Sequence, residues 1–332
     1  MSTGNPNLHQ QSQPYGITIP FDGVALPEQR ELVAELADLG YTDAWSSESG
    51  GADAFSPLAL ASVWAPGLRL GTGIAQVLTR GPATLAQSAA TLAAAAPGRF
   101  TLGIGTSSDV IVERWNGMAF ERPYQRMRDT ARFLRAALGG EKVSERYQTF
   151  TVDGFRLQLV PERPPALLIA ALRPGMLRLA GREGDGAVVN WLSPDDVGTV
   201  APYVHEAGPG KQLVARIYVA ASDDAEAGRA AARRAIAGYL TVPVYRAFQE
   251  WLGRGEQLAA MWRAWEAGDR KAALAAIPDE VVDALVVHGS PQACRERVRR
   301  YVEAGVTTPV LALLPVDRDV REVVRGLAPA AG

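Results

Sequence analysis

The chain has 332 residues, 47% hydrophobic and 21% charged, with a formal net charge of −2. That length allows two average domains and also fits one decorated α/β barrel, and so small a charge gives no electrostatic footing for nucleic acid or an anionic membrane surface. A single cysteine, Cys294, excludes an intrachain disulfide, and the scattered His9, His205 and His288 offer no metal-ligand spacing, so no metal is expected.

Residues 1–14 are polar, with no basic start and no apolar core, and read as a disordered tail rather than a signal peptide. Tyr15 to Phe21 is a first strand, closed by Asp22-Gly23. Pro27 opens a helix to Leu39, in which Leu32, Val33, Leu36 and Leu39 form an apolar stripe, and Gly40 ends it. Thr42 to Ser47 is a second strand running into Glu48-Ser49-Gly50-Gly51. A helix over Phe55 to Trp64 and a third strand over Leu68 to Val77 follow. The Ala-rich helix Pro82 to Ala95 is too short to span a bilayer. A fourth strand, Phe100 to Ile104, ends abruptly in Gly105, Thr106, Ser107 and Ser108. Small residues there let backbone approach a ligand closely, and the hydroxyls suit phosphate oxygens, although an ordinary strand exit has the same look.

After a helix over Arg126 to Leu138, Tyr147 to Thr151 and Phe155 to Val160 read as a β-hairpin turning at Asp153-Gly154. The alternation resumes with strand Ala166 to Ala171, helix Pro174 to Arg182, strand Gly186 to Asn190, helix Pro194 to Glu206 and a seventh strand, Leu213 to Ala221. A long helical excursion, Asp223 to Trp265, precedes a helix near Asp279 and one capped by Ser290-Pro291. Thr308 to Leu314 is the eighth strand and Val316 to Leu327 a closing helix. Eight apolar strands, each followed by helical sequence, predict a (β/α)8 TIM barrel rather than an open doubly wound sheet, and no dinucleotide glycine fingerprint follows the first strand. The expected layout is one barrel domain over 15–328, with a hairpin insertion near 147–160 and a helical one near 239–277.

Several stretches together resemble the luciferase-like oxidoreductase superfamily. They are Leu36 to Glu48, Arg69 to Pro82 (Arg-Leu-Gly-Thr-Gly-Ile-Ala-Gln-Val-Leu-Thr-Arg-Gly-Pro), Gly98 to Gly105 with Trp115-Asn116-Gly117, Ala170 to Gly181 with Asp185-Gly186, and Gly289-Ser290-Pro291. Within it the coenzyme F420 branch is more similar than the FMN monooxygenases. The resemblance implies an F420-dependent oxidoreductase moving a hydride between the deazaflavin and a small organic substrate, as a cytoplasmic homodimer. The alternatives are an FMN-dependent luciferase-like monooxygenase and a flavin-binding protein without turnover.

In a barrel of this kind the chemistry sits at the C-terminal ends of the strands. The resemblance implies that Gly73-Ile74 is a non-proline cis peptide behind the flavin ring, followed by Ala75. Gly105, Thr106, Ser107 and Ser108 would hold the cofactor phosphate, and Ala171, Leu172, Arg173, Pro174, Gly175 and Met176 would form the second wall of that pocket. Phe21, Asn190 and Trp191 are placed in the substrate pocket. Two proton donors usual in relatives are missing, since their places hold Ser49 and Thr106. Glu48, with Ser49 beside it, is the remaining candidate for the acid, and a structural carboxylate on the barrel rim is the competing role for Glu48.

Overall fold

The computed structural model describes residues 13–329. The predicted N-terminal tail lies outside the described residues up to position 12; beyond it, the Gln13 amide donates to the Thr307 carbonyl at 3.2 Å. Eight parallel strands close into a barrel in the order β1 (Gly16–Thr18), β2 (Asp43–Ser46), β3 (Arg69–Thr72), β5 (Phe100–Gly105), β8 (Ala166–Ala170), β9 (Gly186–Asn190), β10 (Gln212–Ala221) and β12 (Thr308–Leu313), which returns to β1. Between them run α1 (Arg30–Glu35), α2 (Ser56–Trp64), α3 (Pro82–Ala95), α4 (Pro123–Leu138), α5 (Pro174–Glu183), α6 (Val197–His205), α12 (Pro291–Glu303) and α13 (Val320–Gly326).

Several details depart from the expected elements. The hairpin consists of β6 (Val143–Arg146) and β7 (Thr151–Phe155), so the turn is at Tyr147–Phe150 and Asp153-Gly154 lies within the second strand. Tyr147 and Phe150 pack edge-on against Phe133 of α4, which fixes the turn there. Gly154, at φ +70°, takes up an irregularity that Ser144 bridges through its hydroxyl. A short strand, β11 (Val287–Gly289), was not anticipated; it pairs with Val219–Ala221, the end of β10 that overshoots β9. The helical insertion resolves into α7 (Ala225–Leu240), α8 (Pro243–Trp251), α9 (Gly255–Glu266), α10 (Arg270–Ala275) and α11 (Asp279–Leu285). Among the described residues no helix is long and apolar enough to cross a membrane.

The third predicted strand is in fact two, because it bulges. Leu70 and Gly71 pair with Phe100 and Thr101, whereas β4 (Ala75–Gln76) pairs with Ile104 and Gly105, so β3–β4 carries one residue more than β5 over the same span. The extra length is taken up at Gly73-Ile74, whose peptide is cis, as is Ile19-Pro20. Thr72 replaces the lost ladder with its side chain: Oγ1 donates to the Gly103 carbonyl at 2.7 Å and accepts from the Gly103 amide at 2.8 Å. Position 103 must be glycine for that approach, since a Cβ there would stand 2.0 Å from the Thr72 carbonyl oxygen.

Inside the barrel, Trp45, Leu168, Val188, Val214 and Val310 form a packed layer, with Ile74 against it. The Trp45 indole fills space left by glycine; a Cβ on Gly71 would come within 2.5 Å of it. A second core joins Trp191 and Tyr218 to α7, α9 and α11. Trp262 belongs to that core and donates its indole N–H to the Leu240 carbonyl at 2.8 Å, while Trp251 stacks on Phe248. These tryptophans of the insertion are packing residues.

Candidate active site

The bulge, the turn after β5 and the start of α5 are brought together because β4, β5 and β8 are neighbours in the sheet. Gly105 sits at the centre of this group. A Cβ there would lie 2.5 Å from Ile74 Cγ1 and 3.2 Å from Ala170 Cβ, so its bareness lets the bulge and the end of β8 close up. The chain then leaves β5 through Thr106–Ser108, with Ser107 in the left-handed region at φ +64°, and enters a wide π-type turn over Val110–Trp115. The Ser108 carbonyl accepts from the Val112 amide at 2.9 Å, whereas the Thr106 and Ser108 hydroxyls make only long contacts of 3.5 and 3.4 Å. Three hydroxyls therefore stand available beside the bulge. On the far side Ala171 is buried and its amide is held by the Val188 carbonyl at 3.0 Å. Arg173 precedes the first turn of α5 in extended conformation, Pro174 opens the helix, Gly175 borders open space, and Leu172 and Met176 pack down on the main core.

Glu48 is tied down. Its carboxylate accepts from Arg80 Nε at 3.2 Å, from Arg80 Nη2, and from the Gln76 amide at 3.1 Å, and the Gln76 side chain returns a bond to the Glu48 carbonyl at 3.0 Å. The Glu48 amide donates to the Ile74 carbonyl at 3.3 Å. The carboxylate beside it raises the affinity of Arg80 for its proton. With its oxygens taken by a guanidinium and a backbone amide, the Glu48 side chain clamps the loop after β2 to the bulge, the geometry of a rim carboxylate. Ser49 is exposed on that loop.

Asn190 and Trp191 end β9, and the structure gathers around them residues from β10 and the insertion. Trp191 adopts φ +55°, is buried, and stacks on Tyr218 at 4.2 Å and 23°; Tyr239 stands 5.1 Å from it. Its carbonyl accepts from Gln249 of α8 at 2.7 Å, which pins the turn. Asn190 Nδ2 donates to the Tyr245 hydroxyl at 3.2 Å, and Arg216 Nη1 reaches the Tyr218 hydroxyl at 3.4 Å. Burial pushes the Tyr218 and Tyr245 phenols up, so both stay protonated at neutral pH. Phe21 is buried in the main core, and its backbone is bracketed by the Gln29 side chain at 2.8 and 3.0 Å. Arg216, Tyr218, Tyr239 and Tyr245 were not anticipated from sequence. The available signal is the period-2 pair Arg216-x-Tyr218 inside an otherwise apolar strand.

Free hydroxyls on one side, a glycine-flattened bulge in the middle and an aromatic, polar-tipped wall on the other suit a flat ring system bearing a phosphate tail. Cys294 is not part of this chemistry, since burial pushes its thiol up to about 12. Among the described residues no group of His, Cys, Asp and Glu could hold a metal ion.

The profile of the luciferase-like monooxygenase family matches residues 3–308. A Mycobacterium tuberculosis protein assigned by name to the coenzyme F420-dependent oxidoreductases is 28% identical, over 94% of this chain and 97% of its own length. The 5,10-methylenetetrahydromethanopterin reductase of Archaeoglobus fulgidus is also 28% identical, over 89% of this chain and 92% of its own. Among solved structures, the F420-dependent tetrahydromethanopterin reductase of Methanopyrus kandleri superposes with a TM-score of 0.80 at 20% identity, covering 96% and 97% of the two chains, a likeness of fold.

Proposed function

This chain belongs to the luciferase-like monooxygenase family, and on that footing we propose that it is an F420-dependent oxidoreductase acting on a small organic substrate. The observation that carries the reading is the meeting of three strand ends around Gly105: the Gly73-Ile74 bulge, the Thr106–Ser108 hydroxyls and the start of α5. The names of the relatives similar along nearly the whole chain point the same way. When bound, the deazaflavin supplies hydride chemistry, which relieves the protein of providing a nucleophile or a metal.

The chain's own residues do the rest. Thr106, Ser107 and Ser108 hold the cofactor's phosphate, with Ala171 to Met176 as the facing wall, and Gly73, Ile74 and Ala75 form the backstop of the ring. Glu48 and Arg80 keep that backstop in register. Asn190 and Trp191, with the tyrosines around them, orient the substrate and exclude water. Tyr245 accepts from Asn190 and so presents its phenolic proton outward from that bond, a proton held at neutral pH. A cytoplasmic homodimer is part of the same reading, on family grounds.

Titration of the purified protein with oxidised F420 and, separately, with FMN, followed by cofactor fluorescence, tests it. Saturable binding of F420 in preference to FMN is expected. Preference for FMN overturns the cofactor assignment, and binding of neither overturns the enzyme reading.

A further inference from the structure

We propose that Arg216 makes the barrel mouth a receptor for a carboxylate, so that the substrate of this oxidoreductase is an organic acid or carries an equivalent planar oxyanion; this deepens the F420 reading and rests on it for the word substrate. Arg216 lies on β10 level with Asn190, the last residue of β9, and with Val310 of β12. It also lines one interior void with Thr18, Ser46 and Gly73, where β1, β2 and β3 end. The guanidinium thus stands at the level where the barrel interior opens to the C-terminal face, where substrates meet this fold.

Among the described residues the charge there has no carboxylate partner. Arg80, Arg128 and Arg254, with side chains 22%, 19% and 12% exposed, each pair with a carboxylate. The groups that act on Arg216 are phenols instead: Tyr218, whose ring centroid is 5.3 Å from the guanidinium carbon, then Tyr239 and Tyr245. Its Nε is buried and without a hydrogen-bond partner, and so are Thr18 Oγ1 and Trp45 Nε1 around the same void. That void, about 10 Å³, has room for no more than one water, which is neutral. A half-buried guanidinium whose Nε is sealed off without a partner is costly to maintain, and ring faces compensate only in part. What completes the set is a planar anion that a guanidinium fork can grip bidentately. The surrounding donors fit the same guest, for the Tyr218 and Tyr245 phenols and the Asn190 amide add neutral hydrogen bonds.

The test compares benzoate with benzamide, its neutral analogue, by calorimetric titration of the protein with and without F420, in the wild type, Arg216→Gln and Arg216→Lys. Benzoate is expected to bind the wild type about tenfold more tightly than benzamide. Arg216→Gln should erase that preference while F420 affinity stays within about twofold. Should Arg216→Gln not fold, Arg216→Lys decides, because it keeps the charge and loses the fork: the preference should shrink severalfold, and an unchanged preference overturns the proposal. Equal binding of benzoate and benzamide to the wild type overturns it, as does a preference that survives Arg216→Gln. A loss of F420 affinity in Arg216→Gln without any benzoate preference in the wild type assigns the cation to the cofactor and also overturns it. Failure of the wild type to bind F420 at all sinks the cofactor reading separately; the anion site then stands or falls on the benzoate comparison without cofactor.

Discussion

Replacing Glu48 by Gln separates a clamp from an acid. In the structure the Glu48 carboxylate bridges Arg80 and the Gln76 amide, with side chains only 14% and 22% exposed for Glu48 and Arg80. Breaking a fully buried ion pair by removing one partner costs about 3–5 kcal/mol, while exposed pairs contribute about 0–1 kcal/mol. Glu48→Gln lies between these limits, because the amide oxygen still accepts from Gln76 while Arg80 keeps only the more distant carboxylate of Asp53, at 3.9 Å. About 2 kcal/mol is expected. With an unfolding entropy of about 2.1 cal/mol/K per residue, a chain of 332 residues then loses roughly 3 °C in Tm. Since the same carboxylate holds the bulge behind the proposed ring site, the KM for cofactor should rise severalfold and kcat should fall by less than about tenfold. Differential scanning fluorimetry and steady-state kinetics on one preparation read both quantities. An acid role predicts the reverse pattern, with Tm unchanged, cofactor affinity unchanged and kcat down by about 10²–10⁴-fold. That result would refute the clamp. The double variant Glu48→Gln/Arg80→Gln provides the internal check, since a true pair makes its loss smaller than the sum of the single losses.

Three further outcomes follow from the packing around the site. Thr72→Val removes both hydrogen bonds to Gly103 at a fully buried position and should cost about 2–3 kcal/mol, read by chemical denaturation; a loss under about 1 kcal/mol would mean the bulge does not depend on that hydroxyl. Gly105→Ala places a methyl 2.5 Å from Ile74 and 3.2 Å from Ala170, so about 1–3 kcal/mol of overpacking and a clear drop in F420 affinity are expected; unchanged affinity by fluorescence titration would remove Gly105 from the site. Burial alone would raise the Asp185 carboxyl, but Arg135 at 2.8 Å, the Leu167 amide at 2.7 Å and Lys211 together hold it below the usual range. A depressed folded-state value means stability that is full above the unfolded value, about 3.9, and is lost as pH falls through the folded one. Asp185→Asn should therefore unfold more readily at neutral pH, show a shallower loss of stability below about pH 4, and leave cofactor binding intact, because Asp185 lies at the start of β9, away from the mouth; parallel acid-unfolding curves for the two proteins would contradict this.

The parts of the fold that were legible in the sequence are those governed by local chemistry. Pro82, Pro174 and Ser290-Pro291 start helices where expected, and the apolar runs at Ala166 to Ala170 and Gly186 to Asn190 are strands. The hairpin was misplaced because Asp153-Gly154 is a turn signal that tertiary packing overrode: Tyr147 and Phe150 have Phe133 to pack against, and the glycine serves inside the strand. β11 escaped notice because three residues show no periodicity, and its pairing depends on how far β10 outruns β9.

The two sides of the site were unequally legible for a related reason. The proposed cofactor side is made of short contiguous stretches at the ends of adjacent strands, Gly73 to Gln76 and Gly105 to Ser108, where small residues and hydroxyls carry their meaning in the local order. The proposed substrate side is assembled from Asn190 and Trp191, Arg216 and Tyr218, and Tyr239 and Tyr245, which lie on β9, β10, α7 and α8 and the turns beside them, and meet only when the barrel closes and the insertion folds over it. No stretch of sequence contains that neighbourhood. The one local trace, a lone arginine in an apolar strand, gains meaning from what is missing around it, and a missing counter-ion can be recognised only in three dimensions. It follows that relatives sharing the Gly-rich strand ends can share a cofactor while differing in substrate, because a change at position 216 or in the α7–α8 tyrosines alters charge and shape at the mouth without touching the bulge.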